Sequence, residues 1–138
     1  MGYVFATIGL ANRWHVINDR HELVDDYEIR SIEVEMLVDT GSLYMCINES
    51  IRTYLNLEVI DKGKFQLADG MIGEYEIVGP VEVRFANRTC RVDAIVLPGN
   101  NQCLLGAIPM EAMDILISPT RQELVVNPAH PDYALFRL

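Results

Sequence analysis

The fold is decided by the stretch Ile32-Glu33-Val34-Glu35-Met36-Leu37-Val38-Asp39-Thr40-Gly41-Ser42. Its first part alternates apolar and polar side chains, which predicts a β-strand with one apolar face. The strand runs into a tight glycine turn that begins with a carboxylate, Asp39-Thr40-Gly41-Ser42, and this tetrapeptide occurs once in the chain. Each chain therefore supplies a single carboxylate of this kind at the end of a strand.

The sequence on both sides of this stretch predicts further short strands. Tyr3–Leu10 reads as a first strand, and Asn12–Glu28 as a polar connection with ragged strand extensions. Lys64–Ala68 and Met71–Val78 flank Asp69-Gly70, which predicts a hairpin with a two-residue turn, and Gly79-Pro80 is expected to break its second strand. Further strands are predicted over Val81–Phe85, Thr89–Leu97, Cys103–Leu105, Ile115–Ile117 and Glu123–Val126.

Two short helices interrupt this series of strands. Asn48 is expected to cap a helix that ends near Leu55, with Ile51, Tyr54 and Leu55 facing inward. A second helix with Pro109 in its first turn is expected to end near Asp114. Many strands with one or two short helices predict a mainly β fold with a closed or partly closed arrangement of strands. At 138 residues, the whole chain is expected to be one domain.

Composition excludes some classes of partner. The net charge is −9 and the only lysines are Lys62 and Lys64, so the basic surface that nucleic acid needs is lacking. The apolar run from Gly2 to Leu10 lacks a basic start and is too short for a signal peptide or a membrane span. Three cysteines outside any C-x-x-C motif favour buried thiols in a reducing compartment. We therefore expect a cytoplasmic protein that binds neither nucleic acid nor membrane.

The sequence gives no support for a cofactor or a metal ion. Neither G-x-G-x-x-G nor G-x-x-x-x-G-K-[ST] is present, so no nucleotide cofactor is expected. His15 and His21 lie near Asp19 and Glu22, but their spacing suits no common metal site, and a solvated loop is the expected role.

Three segments together resemble a known family. Val38-Asp39-Thr40-Gly41-Ser42 resembles the active-site signature of aspartic proteases, and Leu104-Leu105-Gly106 before a short helix resembles their second hallmark. Asp69-Gly70 falls where that family carries its flap hairpin. The order and spacing are similar to the single-domain, retroviral-type group, the retropepsins, and to small bacterial relatives of that group, over roughly Tyr3–Val126. The resemblance implies an acid-protease-like β-barrel that corresponds to half of a two-lobed pepsin-type fold.

The resemblance also implies a reaction and a set of site residues. A homodimer would bring two copies of Asp39 together as a catalytic dyad for hydrolysis of a polypeptide substrate, with Thr40 and Gly41 shaping the loop. The hydroxyl of Ser42 is expected to donate a hydrogen bond to Asp39. Ser42 and the flap are expected to contact the substrate. A further set of residues is expected to pack beneath the loop and support it. The flap residues are Asp69, Gly70, Met71, Ile72 and Tyr75, and the supporting residues are Leu104, Leu105 and Gly106.

The chain departs from the retroviral pattern at one pair of positions. Retroviral members often carry an acidic residue after the D-T-G-[AS] segment and an arginine after the later glycine, where this chain has Leu43 and Ala107. A non-catalytic peptide-binding or assembly module on the same fold therefore stays open, as does a monomeric β domain unrelated to proteases. The apolar tail Tyr133–Leu138 either packs on its own domain or forms a terminal strand of a dimer.

Overall fold

The protein, described here from a computed structural model over residues 3–20 and 30–138, consists mainly of β-strands. The mainly β prediction is confirmed. The strands are β1 Phe5–Asn12, β2 Ser31–Val38, β3 Met45–Asn48, β4 Glu58–Gln66, β5 Ile72–Phe85, β6 Arg88–Leu97, β7 Leu104–Leu105, β8 Ile115–Ser118 and β9 Glu123–Val126. The helices are α1 Arg13–Arg20, α2 Glu49–Leu55 and α3 Ala107–Met113.

Most strands of the described ranges join one sheet whose ends meet. The order is β1-β2-β7-β3-β6-β5-β4, and β1 also pairs with β5, so six of the seven strands form a ring. Strand β4 stands outside the ring and pairs with β5 as a long hairpin. Strands β8 and β9 form a separate two-stranded sheet. The ring encloses the apolar core, whose fully buried members include Ile8, Met36, Met45, Val83 and Leu105.

Strands β2 and β7 pair in parallel and bring distant parts of the sequence to one edge of the sheet. In the β2–β7 pair, Leu37 lies beside Leu104 and Val38 beside Leu105. Because the strands are parallel, the residues that follow them, Asp39 and Gly106, leave the sheet at the same edge. This pairing places the D-T-G-S loop directly against the start of α3.

The predicted connection after β1 is wrong in its first half. Asn12 ends β1 and starts a helix, because its Oδ1 accepts the backbone N–H of Trp14 at 3.0 Å in the manner of an N-cap. The Asn12 side chain is also buried and donates to the carbonyls of Leu55 and Asn56. The described residues therefore contain three helices rather than one or two, and the rest of the predicted connection, residues 21–29, lies outside them.

Two details of the long hairpin also differ from the prediction. The loop has three residues, Ala68, Asp69 and Gly70, because Leu67 donates to the carbonyl of Met71 and Gly70 takes the left-handed conformation with φ 86°. Gly79-Pro80 does not break β5, which continues to Phe85; the strand instead shifts its register against β6 between Val78 and Val81.

The helix predicted after Asn48 is confirmed, with one difference. The Asn48 side chain accepts the Ile51 amide, and both Ile51 and Leu55 are buried. Tyr54 instead faces outward, where the Arg30 guanidinium lies 5.5 Å from its ring centroid and gives the ring a cationic partner. The helices of residues 3–20 and 30–138 are all too short to cross a bilayer.

Candidate functional site

Asp39 sits in a loop that backbone hydrogen bonds hold in place. Its amide donates to the Leu105 carbonyl at 2.9 Å, and its carbonyl accepts the Ser42 amide at 3.1 Å. The carboxylate is half-buried and accepts the Gly41 amide at 2.9 Å. A side chain at Gly41 would lie 3.2 Å from that same carboxylate oxygen, so glycine leaves the room that this approach needs.

The segment after β7 supports the loop from below. Ala107 donates to the Ser42 carbonyl at 2.8 Å and Ile108 donates to the Leu43 carbonyl at 2.9 Å. Gly106 packs so closely that a Cβ there would lie 2.6 Å from the Ser42 carbonyl oxygen and closer still to that of Tyr44. Only glycine fits at this position without moving the loop.

Ser42 makes a different hydrogen bond from the one expected. Its hydroxyl donates to the Tyr44 carbonyl at 3.2 Å rather than to Asp39. Because the loop turns back after Ser42 to enter β3, the nearest acceptor for the hydroxyl is its own chain two residues on. The backbone amide of Gly41 provides the hydrogen bond to the carboxylate instead.

A cavity of about 630 Å³ lies between this loop and the β4–β5 hairpin. Its walls are mostly apolar and aromatic, and among the described residues that line it Asp39 is the only one with a carboxyl group. The volume is in the range of pockets that bind organic ligands. The lining residues include Asp39, Gly41, Ser42, Leu43, Tyr44, Cys46, Phe65, Gly70, Tyr75 and Leu104.

The hairpin over the cavity, which we call the flap, alternates glycine with aromatic residues. Gly63 lies opposite Tyr75 and Phe65 opposite Gly73, so each ring faces a glycine on the neighbouring strand. At its tip, the Asp69 carboxylate accepts the Met71 amide at 3.0 Å, which fixes the turn.

Aromatic rings join the flap to the loop below. The rings of Tyr44 and Phe65 meet edge to face, with centroids 5.6 Å apart and planes at 81°. Phe65 also lies 6.4 Å from Tyr75 on the other flap strand. Such pairs add roughly 0.5–1.5 kcal/mol beyond burial of their area. The flap therefore rests on the floor of the cavity through side chains.

The structure brings together part of the predicted site. Asp39, Gly41, Ser42, Gly70, Tyr75 and Leu104 line the cavity, while Leu105 and Gly106 are buried beneath the loop. Thr40 lies exposed on the loop. Asp69, Met71 and Ile72 lie at the flap tip outside the cavity lining, with Met71 68% and Ile72 70% exposed.

Sequence reasoning missed Tyr44, Cys46 and Phe65. The glycine and aromatic residues that alternate on both flap strands were a usable signal for Phe65, because a ring opposite a glycine has an open face.

Burial raises the pKa of the Cys46 thiol to about 11, with nearby Cys103 and Asp39 adding to the effect. The thiol is therefore protonated at neutral pH and is not a nucleophile in this cavity.

The helix beneath the loop is tied to the C-terminal tail at Asp114. The Asp114 carboxylate accepts hydrogen bonds from the Leu135 amide at 3.1 Å and the Asn127 side chain at 3.0 Å, and contacts the His130 ring at 2.8 Å. These bonds, the Leu135 amide first, lower the pKa of Asp114 to about 2. The buried Arg88 guanidinium donates to the His130 carbonyl. The tail backbone thus packs on its own chain.

Neither the apolar side chains of the tail nor the histidines are assigned to a functional site. Tyr133, Leu135 and Phe136 remain exposed, although the Leu135 amide is bonded to Asp114. Of the cluster His15, Asp19, His21 and Glu22, the last two residues lie outside the described residues. Within residues 3–20 and 30–138, no group of three metal-binding side chains is present.

The ring of strands, the D-T-G-S loop braced by Leu105-Gly106 and the flap define the class of fold, that of the retroviral proteases. A solved structure, the retroviral protease-like domain of Ddi1 from Leishmania major, matches 91% of this chain and 90% of its own with a TM-score of 0.54. Its sequence identity is 15%, so this likeness concerns the fold.

The sequence itself gives the family. The family described as aspartyl protease matches residues 26–107, which is more than half of the chain and includes both the D-T-G-S loop and Leu104-Leu105-Gly106. The chain belongs to the aspartyl protease family. No curated protein matches the sequence.

Proposed function

We propose that the protein is a homodimeric aspartic endopeptidase whose catalytic dyad consists of Asp39 from each of two copies. One observation carries the proposal: Asp39 is half-buried and lines the cavity, on a loop fixed by the Leu105 carbonyl and by Gly106. One such carboxylate per chain is half of the required pair, and a twofold axis supplies the other half.

The chemistry follows from two carboxyl groups in close contact. Two carboxyls about 3 Å apart cannot both ionise, so they share one proton. The ionised partner acts as general base on a water molecule, and the protonated partner donates to the carbonyl oxygen of the scissile bond. That proton also stabilises the tetrahedral oxyanion as it forms. Activity should therefore follow a bell-shaped pH profile with its optimum on the acid side of neutral.

The neighbours of Asp39 position this pair. The Gly41 amide orients the carboxylate. Thr40, which is exposed on the loop, would hydrogen-bond across the twofold axis to the partner loop. An extended peptide would lie as an added strand between the flap and the floor, with Ser42, Gly70 and Tyr75 around it. Asp69 would keep the flap turn in shape while Met71 and Ile72 close over the peptide from the tip.

The test is the Asp39→Asn variant, assayed with a peptide library at mildly acidic pH. Asn keeps the size and the Gly41 hydrogen bond but cannot act as the base, so cleavage should fall by a factor of about 10³ or more. Asp93→Asn is the matched control, because Asp93 is an exposed strand carboxyl outside the cavity lining. Cleavage by Asp39→Asn at the parent rate would refute the proposal.

The second candidate is a non-catalytic peptide-binding or assembly module on this fold. The observation that favours it is Ser42, whose hydroxyl is engaged by the Tyr44 carbonyl rather than by the carboxylate. A parent protein that binds peptides without cleaving them, and an Asp39→Asn variant that binds them equally well, would support this candidate.

The proposal also includes the extent of the domain and the location of the protein in the cell. We take residues 1–138 as one such domain and place it in the cytoplasm. The three cysteines support the location, since all are free and buried and so suit a reducing compartment.

A further inference from the structure

Three large apolar side chains beside the D-T-G-S loop are exposed. Leu43 follows the loop directly and is 55% exposed, Ile108 in α3 is 37% exposed, and Tyr3 before β1 is 83% exposed. Isolated exposed apolar residues are ordinary on protein surfaces, but a group around one functional loop indicates contact with a partner. We call Tyr3, Leu43 and Ile108 the loop-side patch.

Backbone hydrogen bonds place the three residues of the patch beside the D-T-G-S loop. Ile108 donates to the carbonyl of Leu43 at 2.9 Å, so the two residues are neighbours although 65 positions separate them in the sequence. The Val38 amide donates to the Val4 carbonyl at 2.8 Å. This bond extends the antiparallel β1–β2 register and places Tyr3 alongside Asp39. The patch therefore borders the candidate dyad.

The stretches of chain that carry Leu43 and Ile108 are uncharged, and the first charged residue after Ile108 is Glu111, one turn further along α3. Residues 40–48 and 94–110 contain no Asp, Glu, Lys or Arg, in a chain that holds 31 of them. Two copies with a net charge of −9 each repel one another over most of their surface. They can approach most closely where charges are fewest, and the uncharged stretches that carry Leu43 and Ile108 favour contact at this place.

We propose that the loop-side patch is the contact through which a second copy of this chain docks, with Leu43 and Ile108 packing against the same patch of the partner. The proposal rests on the dimer proposed above and says how it is held together. Leu43 and Ala107 stand where the retroviral pattern has an ionic pair, and the contact here is apolar instead. A twofold contact is self-complementary, so one patch per chain suffices.

Salt separates an apolar contact from an ionic one. An ionic contact weakens as salt screens it, whereas salt screens the mutual repulsion of two acidic chains and leaves an apolar contact intact. We expect the dimer dissociation constant to stay unchanged or fall between 50 mM and 500 mM NaCl in sedimentation experiments. A dissociation constant that rises about tenfold or more over this range would contradict the apolar contact.

The direct test places a charge in the patch. Leu43→Glu and Ile108→Glu should each raise the dimer dissociation constant by about tenfold or more, because docking would bury an unpaired carboxylate in both copies. Ile60→Glu is the matched control: Ile60 is a 49% exposed aliphatic residue on β4, away from the loop, and its variant should dimerise like the parent. Far-UV circular dichroism and thermal unfolding check that each variant folds.

A mixing experiment separates a direct contact from a folding defect. Leu43→Glu and Leu43→Lys should each be largely monomeric alone, and an equal mixture should form a heterodimer because opposite charges then face each other. If Leu43→Glu does not fold, Leu43→Ser with the parent fold gives the same comparison with a smaller rise.

The outcomes distinguish this proposal from the proposed function. A parent dimer that cleaves peptides, with folded Leu43→Glu and Ile108→Glu variants that dimerise as tightly, would overturn the loop-side patch and leave the endopeptidase standing. A parent that stays monomeric and inactive at millimolar concentration would overturn both. Asp39→Asn should dimerise like the parent while losing cleavage, which keeps assembly and chemistry apart.

Discussion

The floor and the flap of the cavity are held in different ways. In the floor, Asp39, Ala107 and Ile108 donate backbone hydrogen bonds that tie the D-T-G-S loop to β7 and α3. The flap is an exposed two-stranded hairpin, and it meets the floor through the rings of Tyr44 and Phe65. Backbone hydrogen bonds hold a side chain such as that of Asp39 in a fixed position. A contact between side chains costs less free energy to break, so a flap held in this way can open.

The first prediction concerns a substitution that disrupts the floor of the cavity. Gly106→Ala would push a methyl group into the carbonyls of Ser42 and Tyr44, which are backbone atoms that cannot rotate away. We expect the free energy of unfolding to drop by about 3 kcal/mol, the upper end of the usual cost of overpacking, and cleavage to be lost. Chemical denaturation measures the change.

The control for this prediction lies in the flap. A Cβ at Gly63 would lie 3.0 Å from the Phe65 ring, a side chain that needs to move by only a few tenths of an ångström to make room. Gly63→Ala should therefore cost about 1 kcal/mol or less. If Gly106→Ala were as mild as Gly63→Ala, the floor would be as adaptable as the flap and the contrast between the two would fail.

The second prediction loosens the flap. Phe65→Ala removes both ring contacts of the hairpin, with Tyr44 below and with Tyr75 beside it. We expect a loss of about 1–2 kcal/mol in stability and a rise in KM of about tenfold, because the closed flap becomes less populated. Tyr54→Ala, which removes a half-exposed ring on α2, should leave KM unchanged. An unchanged KM in Phe65→Ala would show that these rings do not hold the flap.

The third prediction concerns the helix that supports the floor. The pKa of Asp114, at the end of α3, is lowered from the ordinary 3.8 to about 2. A carboxyl whose pKa is lower in the folded state stabilises the fold above pH 4, and this contribution disappears as the pH falls toward 2. Denaturation midpoints of the parent should therefore fall more steeply between pH 4 and 2 than those of Asp114→Asn. Asp132→Asn, on the same tail, should follow the parent; identical slopes for parent and Asp114→Asn would contradict the assignment.

Sequence reasoning was most successful where local chemistry specifies structure. The alternation before Asp39 specified β2, Asn48 specified the start of α2, and the Asp69-Gly70 pair specified a hairpin. These signals depend on residues close together in the chain, and tertiary contacts did not override them. The D-T-G-S loop, Leu104-Leu105-Gly106 and the Asp69-Gly70 hairpin identified the family, which the match over residues 26–107 shows independently.

The failures arose where a distant partner decides the structure. Asn12 caps α1 through the nearby Trp14 amide, and distant partners, the carbonyls of Leu55 and Asn56 more than 40 positions away, hold the same side chain in its buried place. Tyr54 faces outward beside Arg30, a residue from before β2. Tyr44 and Phe65 meet only because the flap folds back over the loop. The alternation of glycine and aromatic residues marks Phe65 itself, but no pattern in the sequence shows which partner any of these residues meets.

The central claim is that one active site needs Asp39 from two copies, and mixing tests it most directly. Parent protein is combined with an equal amount of Asp39→Asn, and cleavage is measured per parent chain under conditions where subunits exchange. Random pairing leaves about half of the parent chains in fully parental dimers, so activity per parent chain should fall to about half, and further as the variant is added in excess. Activity per parent chain that stays constant at every ratio would mean that each chain works alone and would contradict the account.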